Sequence, residues 1–387
     1  MRRLPSDQAE ATSHVVDHDI HGLVTIRLVS PPSSMVEQVR ATFGPSQVAI
    51  SGEPDVVVTF ADRLRSSGEL RLLGLNEAAF DDDSFYLVDG LGRRTRIDLR
   101  TLGEACRLEC ERGIASIPHL VQVVALRLLR KGHVLLHASA FLHEGSGVLA
   151  TGWEKGGKTE LLLAFMAEGA EYLADEWTIV SPDGTIRGLA GNPSIWDWHA
   201  RSLPQYWSRL AKADRGRLRL LRLYRRLYRV LPEPPTLERR SRELLHWLSL
   251  EGGVSAAGSA RPHPERLFGE GRVGLDPAPL DLILFPSAVE DGISVRPVPP
   301  EEVAARMVAC QRYERRRLLA AYECFRFAFP ERTSASLEAA SETELELLST
   351  AFGGRTAFDV RHPYPVQLTE LYEAVRPVLR AQGPSAS

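Results

Sequence analysis

An α/β fold, with a small α+β unit in front of it, is what this 387-residue sequence predicts. Three observations carry the prediction. A glycine-rich loop running from Gly152 to Gly157 follows a strand pattern and opens a helix pattern. Strands and helices of both kinds flank it along the whole chain, rather than a run of one kind alone. Hydrophobic residues make up 44% and charged residues 25%, a composition that lets a globular chain bury large cores. At roughly 150 residues per domain the length suggests two or three. The patterns divide the chain into an N-terminal unit, 1–130, and a larger unit, 131–380.

Residues 1–20 are polar and read as a frayed end. "GLVTIRLV" (22–29) alternates as a strand, and Pro31-Pro32 ends it. "SSMVEQVRATFG" (33–44) reads as a short helix capped by Ser33 or Ser34 and stopped by Gly44. "PDVVVTFA" (54–61) is rich in β-formers, and "DSFYLVDGLGRRTRIDL" (83–99) reads as a hairpin about a Gly-rich turn. "IPHLVQVVALRLLRKG" (117–132) has apolar residues at helical spacing, Pro118 near its start and Gly132 at its end.

In the second unit, "HVLLHASAFLHEGSGVLATG" (133–152) reads as two strands across a "HEGSG" turn. "KTELLLAFMAEGA" (158–170) is a helix ended by Gly169, and "EYLADEWTIVSPDGTIRGL" (171–189) is strand, turn, strand. "LDLILF" (280–285), followed by Pro286, is a later strand. "TAFDVRHPYP" (356–365) is a last strand and "LTELYEAVRPVL" (368–379) a final helix. The segment 207–235 carries nine basic residues between Arg209 and Arg229 against one acidic residue, Asp214. Leu218, Leu221, Leu223, Leu227 and Tyr228 interleave, so it reads as a solvated helix. A basic lid or docking surface for an acidic partner, or a membrane-surface helix, are the other readings. Residues 251–265, rich in Gly, Ala, Ser and Pro, read as a mobile loop, and the last seven residues as a tail.

The net charge of −3 and pI of 6.4 give no whole-molecule basic field, which argues against bulk nucleic-acid binding. No apolar stretch approaches the 18 or so residues of a membrane span, and the N-terminus has no signal-peptide core. Four cysteines are too few for a disulfide scaffold. Cys106 and Cys110, on one face if helical, read as small hydrophobes rather than a metal pair. The cytoplasm, where ATP and magnesium are available, is the default location.

The loop pattern is G-x-x-x-x-G-K-T, Gly152 to Thr159. Its glycines let the backbone fold around phosphate oxygens, with Lys155 and Gly156 inside the loop. The helix from Lys158 adds its positive end, with Glu160 in the first turn. Lys158 supplies a compact positive charge for the β/γ-phosphates, and Thr159 a hydroxyl for Mg²⁺. Asp175 and Glu176 end the "YLA" strand, which is expected beside the loop strand. One carboxylate can hold magnesium and the other accept a proton from an attacking hydroxyl. The alternative is that Asp175 caps a turn and Glu176 is solvated. His137 ends the strand "HVLL" and can reach Asp175, to orient it and tune its basicity; a structural histidine is the competing reading. His133 and His143 are weaker candidates.

Residues 135–180 ("LLHASAFLHEGSG" through "YLADEWTIV") resemble the catalytic domain of the bacterial HPr kinase/phosphorylase superfamily. The shared features are the histidine strand, the glycine loop, a helix ending in Gly and an acidic pair at this distance. "ERLFGEGRV", "LDLILF" and "TAFDVRHPYP" resemble the tail of HPr kinase-related proteins, so the likeness covers 133–190 well and 265–380 loosely. Residues 1–120 look like the variable front half of those related proteins. The resemblance implies a P-loop kinase domain that transfers phosphate from ATP to a hydroxyl, serine in the best-known members, and assembly into a homo-oligomer. It implies that Gly152, Gly157, Lys158 and Thr159 bind ATP and magnesium, that Asp175 is the catalytic carboxylate and that His137 is the family histidine. Glu176 stands where a second aspartate is usual, and Trp153 and Glu154 stand where small residues are more common.

The expected function is therefore an ATP- and Mg²⁺-dependent kinase with a hydroxyl-bearing acceptor: a protein or peptide, or a small molecule. A nucleotide-sensing module without transfer is the third reading. The aromatic stretch "SIWDWHARSLPQYW" (194–207) reads as core or as an acceptor pocket, and Arg201 and Arg361 as steering or surface charge.

Overall fold

The computed structural model describes residues 14–45, 50, 52–74, 77–189, 191–230, 259–274 and 276–380. It is a mixed α/β chain in two compact units. One comprises Met1–Gly132 with Tyr313–Thr343, the other His133–Arg312 with Glu344–Ser387.

The first unit is built on an eight-stranded sheet. Its spatial order is Val15–Ile20, Val24–Val29, Val56–Ala61, Cys106–Glu111, Arg94–Ile97, Phe85–Val88, Ala78–Phe80, Arg71–Leu73. Three sequence expectations need correction here. Val15–Ile20, whose polar residues suggest a frayed end, is an edge strand paired antiparallel with Val24–Val29. His18 and Ile20 are buried there, so its inward face outweighs the polar flank; residues 1–13 lie outside the described residues. The helix Ser33–Phe43 is preceded by Pro32 as its N-cap, with no side-chain capping bond from either serine. Cys106 and Cys110 lie on a strand, not a helix, and face inward together through the two-residue period. Burial pushes their thiols up to about 11 and about 12, which makes them inert small hydrophobes.

Aromatic contacts fasten the helix Arg316–Ala328 to this unit, with Phe85 edge-on to Phe325 at 5.5 Å. Buried Asp81 is a polar anchor in the same unit. Its carboxylate accepts from the backbone N–H of Ser67, Asp83 and Ser84, and from the Tyr86 hydroxyl at 2.8 Å. Burial alone would raise this carboxyl; the donors outweigh it and hold it well below the usual carboxylate range. A depressed carboxyl contributes stability that is complete above the unfolded-chain value of about 3.9 and is lost as the pH falls below it. Asp81→Asn is therefore expected to lower stability by about 1–3 kcal/mol at neutral pH. Urea midpoints of parent and variant should converge toward pH 3, and a constant gap would refute the charge assignment.

The second unit holds a six-stranded sheet in the order Glu171–Ala174, Ala138–His143, Ser146–Thr151, Leu282–Val289, Thr356–Pro363, Ser294–Pro297. The three central strands, from Ser146, Leu282 and Thr356, run parallel. Glu171–Ala174 is antiparallel to Ala138–His143, which is antiparallel to Ser146–Thr151, so the first and third point the same way. The strand ending before Asp175 is thus not beside the loop strand, as its sequence position suggested, but one strand away, with Ala138–His143 inserted. The carboxyl ends of four strands still meet at one edge, the edge at which open α/β sheets take their ligands.

A second sheet of four strands has the order Ala278–Pro279, Thr185–Gly188, Thr178–Val180, Val134–Leu136. The chain crosses from one sheet to the other at His137 and again at Asp175–Trp177. The two-strand readings of 133–152 and 171–189 are therefore each three strands, broken at these crossings. Leu282–Val289 runs through Pro286 rather than stopping before it. Its pairing with the loop strand covers only Leu282–Leu284, so the missing N–H disturbs no ladder on that side.

The helix Lys158–Ala167 is buried nearly all round, including Leu161–Met166, and packs into the core with Phe141, Val148, Tyr172, Leu284, Val360 and Leu371. The basic segment is helical from Lys212 to Val230, with Leu218 fully buried and Arg217, Arg219 and Leu220 exposed. The side chains of Leu221, Leu223, Leu227 and Tyr228, residues 231–235, most of the expected loop 251–265 and the tail lie outside the described residues.

Candidate functional site

The site is built where the loop strand gives way to the helix. Thr151 ends the strand, residues 152–157 turn, and Lys158 begins the helix after Gly157 at φ 116°. The Pro286 carbonyl lies where a Cβ on Gly156 would stand, at 2.8 Å, so only glycine lets the loop sit this low on the sheet edge. Trp153, Glu154 and Lys155 are exposed, which explains how bulky residues fit at positions where small ones are more common. The backbone N–H groups of the first helical turn have no intrahelical partner by geometry, and the helix dipole reinforces them.

The buried Lys158 amine donates to the carbonyls of Gly152 at 3.1 Å and Trp153 at 2.9 Å. It closes the loop on itself. Thr159 donates its hydroxyl to Asp175 at 3.1 Å, and Ser139 donates to the same carboxylate at 2.5 Å. Ser139 sits two residues past His137, and no sequence pattern marks it as a partner of Asp175. Asp175 is fully buried, and burial pushes its carboxyl up. The bonds from Ser139 and Thr159 and the charge of His137 pull it back, while the charge of Glu176 adds to the rise. The His137 ring packs against Trp177, with centroids 5.3 Å apart.

Glu176 has φ 86°, an unusual conformation for a residue with a side chain. Its carboxylate accepts from Ser194 at 3.1 Å and pairs with Arg261 at 3.3 Å. The Glu160 side chain faces inward. Its carboxylate pairs with His199 Nε2 at 3.1 Å, while His199 Nδ1 accepts the Trp196 N–H, so Nε2 carries the proton. Glu160 can therefore serve an anion only through its backbone N–H. The structure brings Lys158, Thr159 and Asp175 together with the glycine loop, sets His137 beside the acidic pair, and engages Glu160 and Glu176 with other side chains. His143 is buried between the rings of Phe165 and Tyr372, away from this cluster, and His133 bonds Ser181 at 2.9 Å.

Two adjacent oxygen donors, the Thr159 hydroxyl and the Asp175 carboxylate, suit a hard cation such as magnesium, which usually takes one or two protein ligands and fills its remaining positions with phosphate and water. Among the described residues no group of three or more His, Cys, Asp or Glu side chains could by itself hold a metal ion.

The aromatic stretch divides. Tyr206 is core, donating to the Met166 carbonyl at 2.9 Å, whereas Trp198 lines a cavity of about 320 Å³ with Ser202, Pro365, Val366 and Gln367. Arg361 pairs with Asp359 at 2.7 Å. No helix among the described residues is long and apolar enough to cross a membrane.

Neither a protein-family model nor a curated protein matches the chain. Among solved structures it is similar to the Hpr(Ser) kinase/phosphatase from Coxiella burnetii, at 12% identity over 64% of this chain and 99% of that one, with a TM-score of 0.28. A superposition that loose bears on neither activity nor substrate.

Proposed function

We propose that this chain is an ATP- and Mg²⁺-dependent phosphotransferase of P-loop type that acts on a hydroxyl, with a serine-type protein or peptide acceptor favoured. The observation that supports it most is the bond from Thr159 to the buried Asp175 carboxylate at the foot of the glycine loop. The loop and first-turn N–H groups take the phosphates, and Lys158 leaves the Gly152 and Trp153 carbonyls to stabilise negative charge on the transferring group. Asp175, raised by burial, accepts the proton of the attacking hydroxyl. The new oxygen–phosphorus bond forms as the β–γ bridge breaks, and ADP leaves. The Thr159 hydroxyl would hold magnesium, which supplies positive charge against the phosphate oxygens when bound, and this leaves the Asp175 carboxylate to take the proton. His137 and Ser139 orient the carboxylate. In this reading Glu176 joins the metal only after releasing Arg261.

A small-molecule acceptor is the second reading, and the cavity beside Trp198 favours it, being large enough for a compact metabolite. The test is incubation of the full chain with ATP, Mg²⁺ and cell extract, followed by mass spectrometry. A magnesium-dependent product carrying one added phosphate is expected. Tight ATP binding with no phosphorylated product across extract, peptide and metabolite panels would favour a nucleotide sensor and defeat the transferase.

A further inference from the structure

A buried histidine that the function has not used lies beneath the loop. His362, on the strand Thr356–Pro363, has no exposed surface. Its Nε2 is 3.1 Å from the Gly156 carbonyl oxygen and its Nδ1 is 2.9 Å from the Pro363 carbonyl oxygen. The ring occupies the space a side chain on Gly157 would need: a Cβ there would stand 1.9 Å from Nε2. It also interacts electrostatically with the buried Glu160 carboxylate, to which His199 bonds directly.

A ring placed only for packing would gain nothing from nitrogens, since burying them costs free energy unless they are bonded. Here the bond has a geometric consequence. In a trans peptide the carbonyl of residue 156 and the N–H of residue 157 point in opposite directions. A donor that draws the Gly156 oxygen toward the sheet turns the Gly157 N–H away from it, to the same side as the N–H groups of the first helical turn. We infer that His362 is a positioning residue for the anion cradle, fixing the Gly156–Gly157 peptide by donating from Nε2 to the Gly156 carbonyl. This rests on the phosphate-loop reading above.

The test compares the full-length parent with His362→Leu, His362→Gln and Lys158→Ala. MgADP affinity is measured by calorimetry and stability by thermal unfolding. The leucine variant is expected to bind MgADP about tenfold more weakly, the size of effect that loss of one oriented hydrogen bond gives. The glutamine variant, which keeps an N–H donor, is expected to bind within about threefold of the parent although its unfolding midpoint falls as far as that of the leucine variant. If leucine does not fold, His362→Met takes its place. Affinity that follows stability without rescue by glutamine, or a leucine variant that binds like the parent, would overturn the role of His362 alone, provided that Lys158→Ala still lowers binding. A parent that does not bind MgADP would overturn both readings.

Discussion

Replacing Lys158 with alanine is expected to lower ATP turnover by at least about 10²–10³-fold while leaving the chain folded. The amine is the positive charge best placed to follow phosphate oxygens, because it already lies inside the loop, bonded to Gly152 and Trp153. Those bonds also brace the loop, so a modest fall in unfolding temperature is expected together with the loss of activity. The two effects separate in a titration of MgATP against the variant. If turnover stays within a few-fold of the parent, the loop does not hold the transferring phosphate. A variant that unfolds at the assay temperature can be replaced by Lys158→Met, which retains the aliphatic stem that packs within the buried site.

Asp175→Asn is expected to keep nucleotide affinity within a few-fold and to lose transfer by about 10²–10⁴-fold, the range for removal of a general base. The amide oxygen can still accept from Ser139 and Thr159, so the geometry should survive. What disappears is an acceptor for the substrate proton, together with the negative charge. Transfer at the parent rate would show that Asp175 is not the base. A large, magnesium-specific loss of nucleotide binding would instead assign the carboxylate to the metal, since Thr159 at 3.1 Å makes that role geometrically available too.

Much of the site is legible along the chain because it is local. A strand, six turning residues and a helix lie within 146–167, and glycine spacing with a following lysine and threonine marks them. Asp175 is legible because a buried strand ends on it. Its placement one strand away from the loop is not, since pairing order is a matter of non-local contacts that spacing does not encode. Ser139, His199 and His362 were invisible for the same reason. No spacing singles any of them out, and only the fold brings each against Asp175, Glu160 or the loop. Val15–Ile20 reads as a polar tail because Asp17, His18 and Asp19 break up the apolar pattern of a half-buried edge strand. The helices from Pro300 to Phe352 carry no motif, and part of that stretch returns to the first unit, a connection no local pattern announces.

The double crossing between the two sheets bears on how this chain can change over generations. At His137 and at Asp175–Trp177, one or three residues separate strands locked into different ladders. Adding or deleting a residue at either point would slide one register against the other and turn inward-facing side chains outward. Evolution is thus free to alter chemistry at these positions by substitution, but not by insertion or deletion. Related sequences should keep their length at these two seams.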